Sequence, residues 1–109
     1  MVWYVVCKTI MSQVKVVRIY LNEKYAEEKK ILNYLHDIAK VKGVTVLRGI
    51  TGFGESGKVH TASLVDLSLN LPLIIEFFDK PGHVDSVIKE LNTMIKPAHL
   101  IHWYAEVND

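Results

Sequence analysis

The sequence predicts an α+β fold, a ferredoxin-like β-α-β-β-α-β domain whose four-stranded antiparallel sheet carries two helices on one face. Three observations predict it. Two stretches, 26–41 and 81–95, repeat apolar residues at helical spacing. Four runs rich in β-branched or alternating residues flank those stretches in the order the fold requires. The chain has 109 residues, 50% of them apolar, which suits one core, because two domains would each be too small to bury a stable one.

The first eleven residues, MVWYVVCKTIM, fall far short of the roughly 20 apolar residues of a membrane span. They also lack the basic start and small-residue cleavage site of an export signal. They read as an N-terminal extension or an extra strand, and 12–109 as a single domain. From Val14, VKVVRIYL is the first strand, ended by Asn22-Glu23. Ala26 to Val41 forms the first helix, with Ile31, Leu32, Leu35, Ile38 and Ala39 on one face, Glu27 and Glu28 in the first turn and Gly43 as its stop. Gly43 to Ile50 is the second strand. The glycine-dense GFGESGK that follows cannot easily continue a ladder, so a long loop begins there, expected to be the most mobile segment from Gly52 to Asn70. Within it, 60–70 fits either two helical turns or an extended arm. Leu73 to Phe78 is the third strand. Asp79-Lys80-Pro81 opens the second helix, with Val84, Val87, Ile88, Leu91 and Ile95 inward and Pro97 closing it, and His99 to Val107 is the fourth strand.

Composition excludes several functions. Thirteen Lys+Arg against twelve Asp+Glu lack the cationic excess that neutralising a nucleic-acid backbone requires, so no nucleic-acid partner is expected. Cys7 is the only cysteine, which excludes an internal disulfide or thiolate zinc cluster and suits a reducing, cytoplasmic setting. His36, His60, His83, His99 and His102 show no metal-ligand spacing, so no metal site is assigned, although a cluster assembled between subunits stays open. No nucleophile motif such as G-x-S-x-G is present; Ser56, Ser63 and Ser68 read as ordinary loop residues, and no enzyme activity or cofactor is assigned.

Two features remain. In the strands Val17, Ile19 and Leu21 alternate with Val14, Val16 and Tyr20, and Leu73, Ile75 and Phe77 with Ile74 and Phe78, so both sheet faces are apolar. Two helices cover one of them; the other should be buried in a homo-oligomer, with Glu76 among its apolar neighbours. The loop spells G-x-G-x-x-G from Gly52 to Gly57, but the chain is too short for a doubly wound sheet. It also spells G-x-x-x-x-G-K to Lys58, with Val59 where a phosphate loop needs Ser or Thr for magnesium.

Over residues 14–107 the chain resembles the PII-like proteins of the domain of unknown function 190 family, relatives of the PII signal-transduction proteins. The opening VKVVRIYLNE, the stretch from Arg48 through Gly52-Phe53-Gly54 to His60-Thr61, and LIIEFFD carry the resemblance. It implies a homotrimer that binds an adenine nucleotide or another small anionic ligand at inter-subunit clefts and signals through the loop 52–70. By resemblance, Gly52, Phe53 and Gly54 line that cleft through their backbone and Lys96 keeps the charge of the second phosphate-binding segment; from their own chemistry, Arg48 or Lys58 is expected to add charge and His60 to close over the ligand. Glu55 stands where PII proteins have a basic residue, Lys96 is the one cation in Ile95-Lys96-Pro97-Ala98, and the last residues lack the PII arginines. A nucleoside monophosphate or cyclic nucleotide is therefore expected over a triphosphate. The resemblance also implies a membrane transporter or channel as a candidate partner. The alternative is a small ferredoxin-like metal-handling protein or enzyme that uses the loop histidine, His60.

Overall fold

A computed structural model describes residues 11–22, 27–53, 60–61 and 71–109. Strand β1 spans Met11–Asn22 and a helix, α1, spans Glu27–Asn33, continuing as a π-helical turn over Tyr34–Ala39. Then come β2 (Val44–Arg48), the short β3 (Thr51–Gly52) and β4 (His60–Thr61), β5 (Pro72–Asp79), α2 (Pro81–Leu91) and β6 (Leu100–Asn108). The main sheet has the order β2-β5-β1-β6, and all its neighbours are antiparallel. This is the α+β, ferredoxin-like architecture expected from the sequence. Residues 1–10 and the middle of the loop, 54–59 and 62–70, lie outside the described residues, and with them the expectations for an extra strand and for loop mobility.

Period-two alternation fixes the layers. Val17, Ile19, Ile75 and Phe77 point to one face, where Ile31, Leu35 and Ala39 of the first helical segment and Val84, Val87 and Leu91 of α2 complete the core. Register locks this arrangement, pairing Val17 with Phe77, Ile19 with Ile75 and Leu21 with Leu73. A one-residue slip would turn Val17 and Ile19 out of the core and Arg18 into it.

The first helical segment departs from the sequence expectation in two ways. Ile38 is 74% exposed instead of sharing the inward face. The wider π turn spreads one turn over more residues, so the inward residues become Ile31, Leu35 and Ala39 at steps of four, and Ile38 swings out. The stop is Lys40 rather than Gly43: Lys40 takes the left-handed conformation at φ 51°, and its N–H and that of Val41 both donate to the Leu35 carbonyl. A left-handed lysine carries a Cβ penalty that glycine avoids. Lys40→Gly should therefore stabilise the protein by about 0.5–1 kcal/mol, read as a higher urea midpoint at unchanged slope, while Lys40→Ala should not.

Two further boundaries shift. α2 ends at Leu91, well before Pro97, through a turn in which the Thr93 hydroxyl donates to the Glu90 carbonyl at 2.7 Å. β2 stops at Arg48 rather than Ile50, and Gly52, expected to be outside any ladder, pairs with His60 in the β3–β4 ribbon.

Candidate functional site

The loop stem is built on a proline. Gly49 N–H donates to the Pro72 carbonyl at 2.8 Å, which ties the end of β2 to the start of β5. A Cβ placed on Gly49 would lie 2.5 Å from Pro72 Cγ, and one on Gly52 would lie 2.9 Å away. Both chain segments run against the ring so closely that only glycine fits. The ribbon then sets Gly52 opposite His60 and Thr51 opposite Thr61, so the two arms of the loop leave the sheet side by side. Next to this corner Ile50 and Phe53 are 77% and 74% exposed. Arg48, the last residue of β2, is exposed beside them. Gly54, Glu55 and Lys58 lie outside the described residues.

Lys96 occupies an exposed turn between α2 and β6. The His99 N–H donates to the Lys96 carbonyl at 3.3 Å, and Ala98 sits at φ 66°. Proline followed by a left-handed residue is the pattern of a type II turn. This turn and the Arg48 corner are at the same end of the sheet: Arg48 pairs with Leu73, Asn22 with Pro72 and Ile19 with Leu100. They are at opposite edges, however. Three strand spacings separate them, about 14 Å, so a single chain brings Arg48, Gly52, Phe53 and His60 together but leaves Lys96 across the sheet.

A second cluster lies on the sheet face away from the helices. Arg18 Nε donates to Glu76 Oε1 at 2.5 Å between directly paired residues of β1 and β5, and the guanidinium lies 5.8 Å from the centre of the Trp103 ring on β6. The hydrogen bond to Glu76 holds the Arg18 guanidinium above its already high ordinary pKa, with Tyr20 adding to the effect. Around this pair Tyr20, Leu47, Phe78, Ile101 and Trp103 are each between 38% and 45% exposed, so the face is apolar and half-open in the single chain. Sequence reasoning placed Glu76 among the apolar neighbours of the sheet. It missed Arg18, whose signal was its parity with Val16 and Tyr20, and it missed Pro72, which no local pattern links to the glycines.

On the helix side, Lys15 is buried and donates to Asp85 Oδ1 at 2.6 Å, with its ammonium 4.9 Å from the Tyr104 ring centre. Asp85 holds the Lys15 ammonium above its ordinary value despite the opposing cost of burial. A raised folded-state pKa means this stabilisation is complete below 10.5 and fades as pH rises through the raised value. His83 Nε2 contacts the Ala39 carbonyl at 2.8 Å and His36 Nδ1 contacts the Asp37 carboxylate at 2.7 Å, so both imidazoles have local structural partners. Among the described residues no three His, Cys, Asp or Glu side chains converge to hold a metal ion, and no helix is long and apolar enough to cross a membrane.

Residues 14–107 match the domain of unknown function 190 family, whose description reads Uncharacterized ACR. The UPF0166 protein MJ1524 of Methanocaldococcus jannaschii is 35% identical over 95 residues, covering 84% of this chain and 87% of that one. A UPF0166 protein of Aquifex aeolicus is 30% identical over 81 residues, covering 71% and 77%. Among solved structures, CPII from Thiomonas intermedia K12 bound to ADP and bicarbonate superposes with a TM-score of 0.64 at 18% identity, covering 91% of this chain and 90% of that one. CutA1 from Oryza sativa reaches 0.59 at 11% identity, covering 91% and 84%. At these identities the structural likenesses establish the shared fold.

Proposed function

The chain belongs to the domain of unknown function 190 family, a family of PII-like proteins, and from that membership we propose that it is a homotrimeric ligand sensor that works without turnover. It binds a small anionic ligand at an inter-subunit cleft and signals through the segment 52–70. The observation that carries this reading is the split site. The glycine corner with Arg48 and His60 lies at one edge of the sheet and Lys96 at the other edge of the same end. A cyclic assembly of copies sets one edge of each protomer beside the opposite edge of the next, which completes the site that a single chain leaves divided. CPII, whose fold this chain shares, is bound to ADP and bicarbonate in one of its structures, which supports an adenine nucleotide as the ligand class.

The ligand contacts proposed are backbone N–H groups of the Gly52-Phe53-Gly54 stretch, because glycine lets N–H groups approach anionic oxygens and cations nearby reinforce them at short range. Glu55 opposes a polyphosphate by like-charge repulsion, so a monophosphate or cyclic nucleotide is favoured over a triphosphate. The segment 52–70 engages the partner, for which we propose a membrane transporter or channel. Calorimetry with AMP, cyclic AMP, ADP, ATP and divalent cations tests the site. Wild-type protein should bind a nucleotide, and Gly54→Val should lose that binding at unchanged melting temperature, because a β-branched side chain closes the approach to the backbone. Equal affinity of the two proteins, or no binding across the panel, overturns the assignment. Binding of divalent cations only would favour the metal-handling alternative through His60.

A further inference from the structure

We propose that the Arg18–Glu76 pair is the element by which the open sheet face recognises a second copy of this chain. The proposal rests on the homotrimeric reading above and adds to it the residues that select the partner. Arg18 and Glu76 lie at the middle of the face on neighbouring central strands, with Trp103 on the next strand 5.8 Å from the guanidinium. Their side chains are 37% and 29% exposed, so each still holds part of its hydration in the single chain. The residues around them, Tyr20, Leu47, Phe78 and Ile101, are apolar or aromatic and comparably half-open.

An apolar cover removes the remaining water from both charges. The pair tolerates this because it is neutral as a unit and each member keeps a direct hydrogen-bond partner. One charge without the other has no such compensation, whereas replacing both by apolar groups of similar volume is often neutral or stabilising. Charge also argues for which partner covers the face. A partner with net charge of either sign is attracted by one member of the pair and repelled by the other, whereas in a cyclic trimer Glu76 of one neighbour can turn toward Arg18 while Arg18 of the other turns toward Glu76. The apolar and aromatic surround supplies the interface core that such a contact buries.

The test uses four full-length proteins: wild type, Arg18→Met, Glu76→Met and the double variant, each followed by sedimentation over a concentration series with far-UV circular dichroism as the check on folding. Each single variant should associate at least about 100-fold more weakly than wild type, and the double variant should return to within about 10-fold of it. If a single variant fails to fold, the charge-swapped Arg18→Glu/Glu76→Arg protein, again neutral across the pair, should assemble and answers the same question. A wild-type trimer whose single variants assemble unchanged, or whose double variant stays dissociated, overturns this proposal and leaves the trimer standing. A wild type that sediments as a monomer overturns both.

Discussion

Phe77→Ala is expected to lose about 3–5 kcal/mol of folding stability, while Phe78→Ala costs the folded chain less than about 1 kcal/mol and instead weakens self-association. The two residues are adjacent in sequence and opposite in function. Phe77 is 2% exposed and packs in the cluster with Val17, Ile75 and both helical segments, so its removal leaves a cavity that rigid neighbours on two layers cannot fill. Phe78 is 44% exposed on the open face, paired with Val16, and its removal uncovers little that was covered. Chemical denaturation at several protein concentrations separates the cases. The Phe77→Ala loss should be present at every concentration, whereas that of Phe78→Ala should grow as concentration approaches the range of assembly, since association stabilises the folded state by mass action. Equal, concentration-independent losses would mean that the two faces are not distinguished as described.

The layers and the element order were legible in the sequence because they depend on period alone. Alternation set Val17 with Ile19, and Ile75 with Phe77, on one side of their strands without saying which side the helices cover, and the structure puts all four in the core. What was not legible depends on pairing or on one residue's conformation. Nothing local announces that residues 34–39 widen into a π turn, so Ile38 seemed inward at a spacing of 3.6 when it is exposed. Gly43 drew the helix stop by composition, yet Lys40 bends the chain three residues earlier at a cost a glycine there would remove. Arg18 and Glu76 are 58 residues apart in sequence, and only the register of β1 against β5 makes them partners. Of the candidate ligand residues, Arg48, Gly52, Phe53 and His60 fall at one corner, and Lys96 is held away by the strand order.

Gly49→Ala should destabilise the protein by about 1–3 kcal/mol, and Gly49→Ala/Pro72→Ala should recover most of that loss. The glycine cluster resembles a phosphate-binding pattern, but the two described glycines have a mechanical role of their own. A methyl group on Gly49 meets Pro72 Cγ at 2.5 Å, and a pyrrolidine ring cannot rotate aside as a long side chain would. Something must move: the ring, the Gly49 N–H bond to the Pro72 carbonyl, or the start of the ribbon. Truncating Pro72 to alanine removes the offending Cγ and leaves Cβ at 3.4 Å, close but tolerable with a small shift. The two substitutions should therefore be strongly non-additive, as expected for groups in direct contact. Gly52→Ala, at 2.9 Å from the same atom, should behave similarly but more mildly. The contrast with Gly54→Val then separates scaffold from site. Loss of stability with rescue at Pro72 identifies glycines that hold the corner, and loss of nucleotide binding at unchanged melting temperature identifies one that faces the ligand. Additive effects of Gly49→Ala and Pro72→Ala would show that the ring is not what the glycine accommodates.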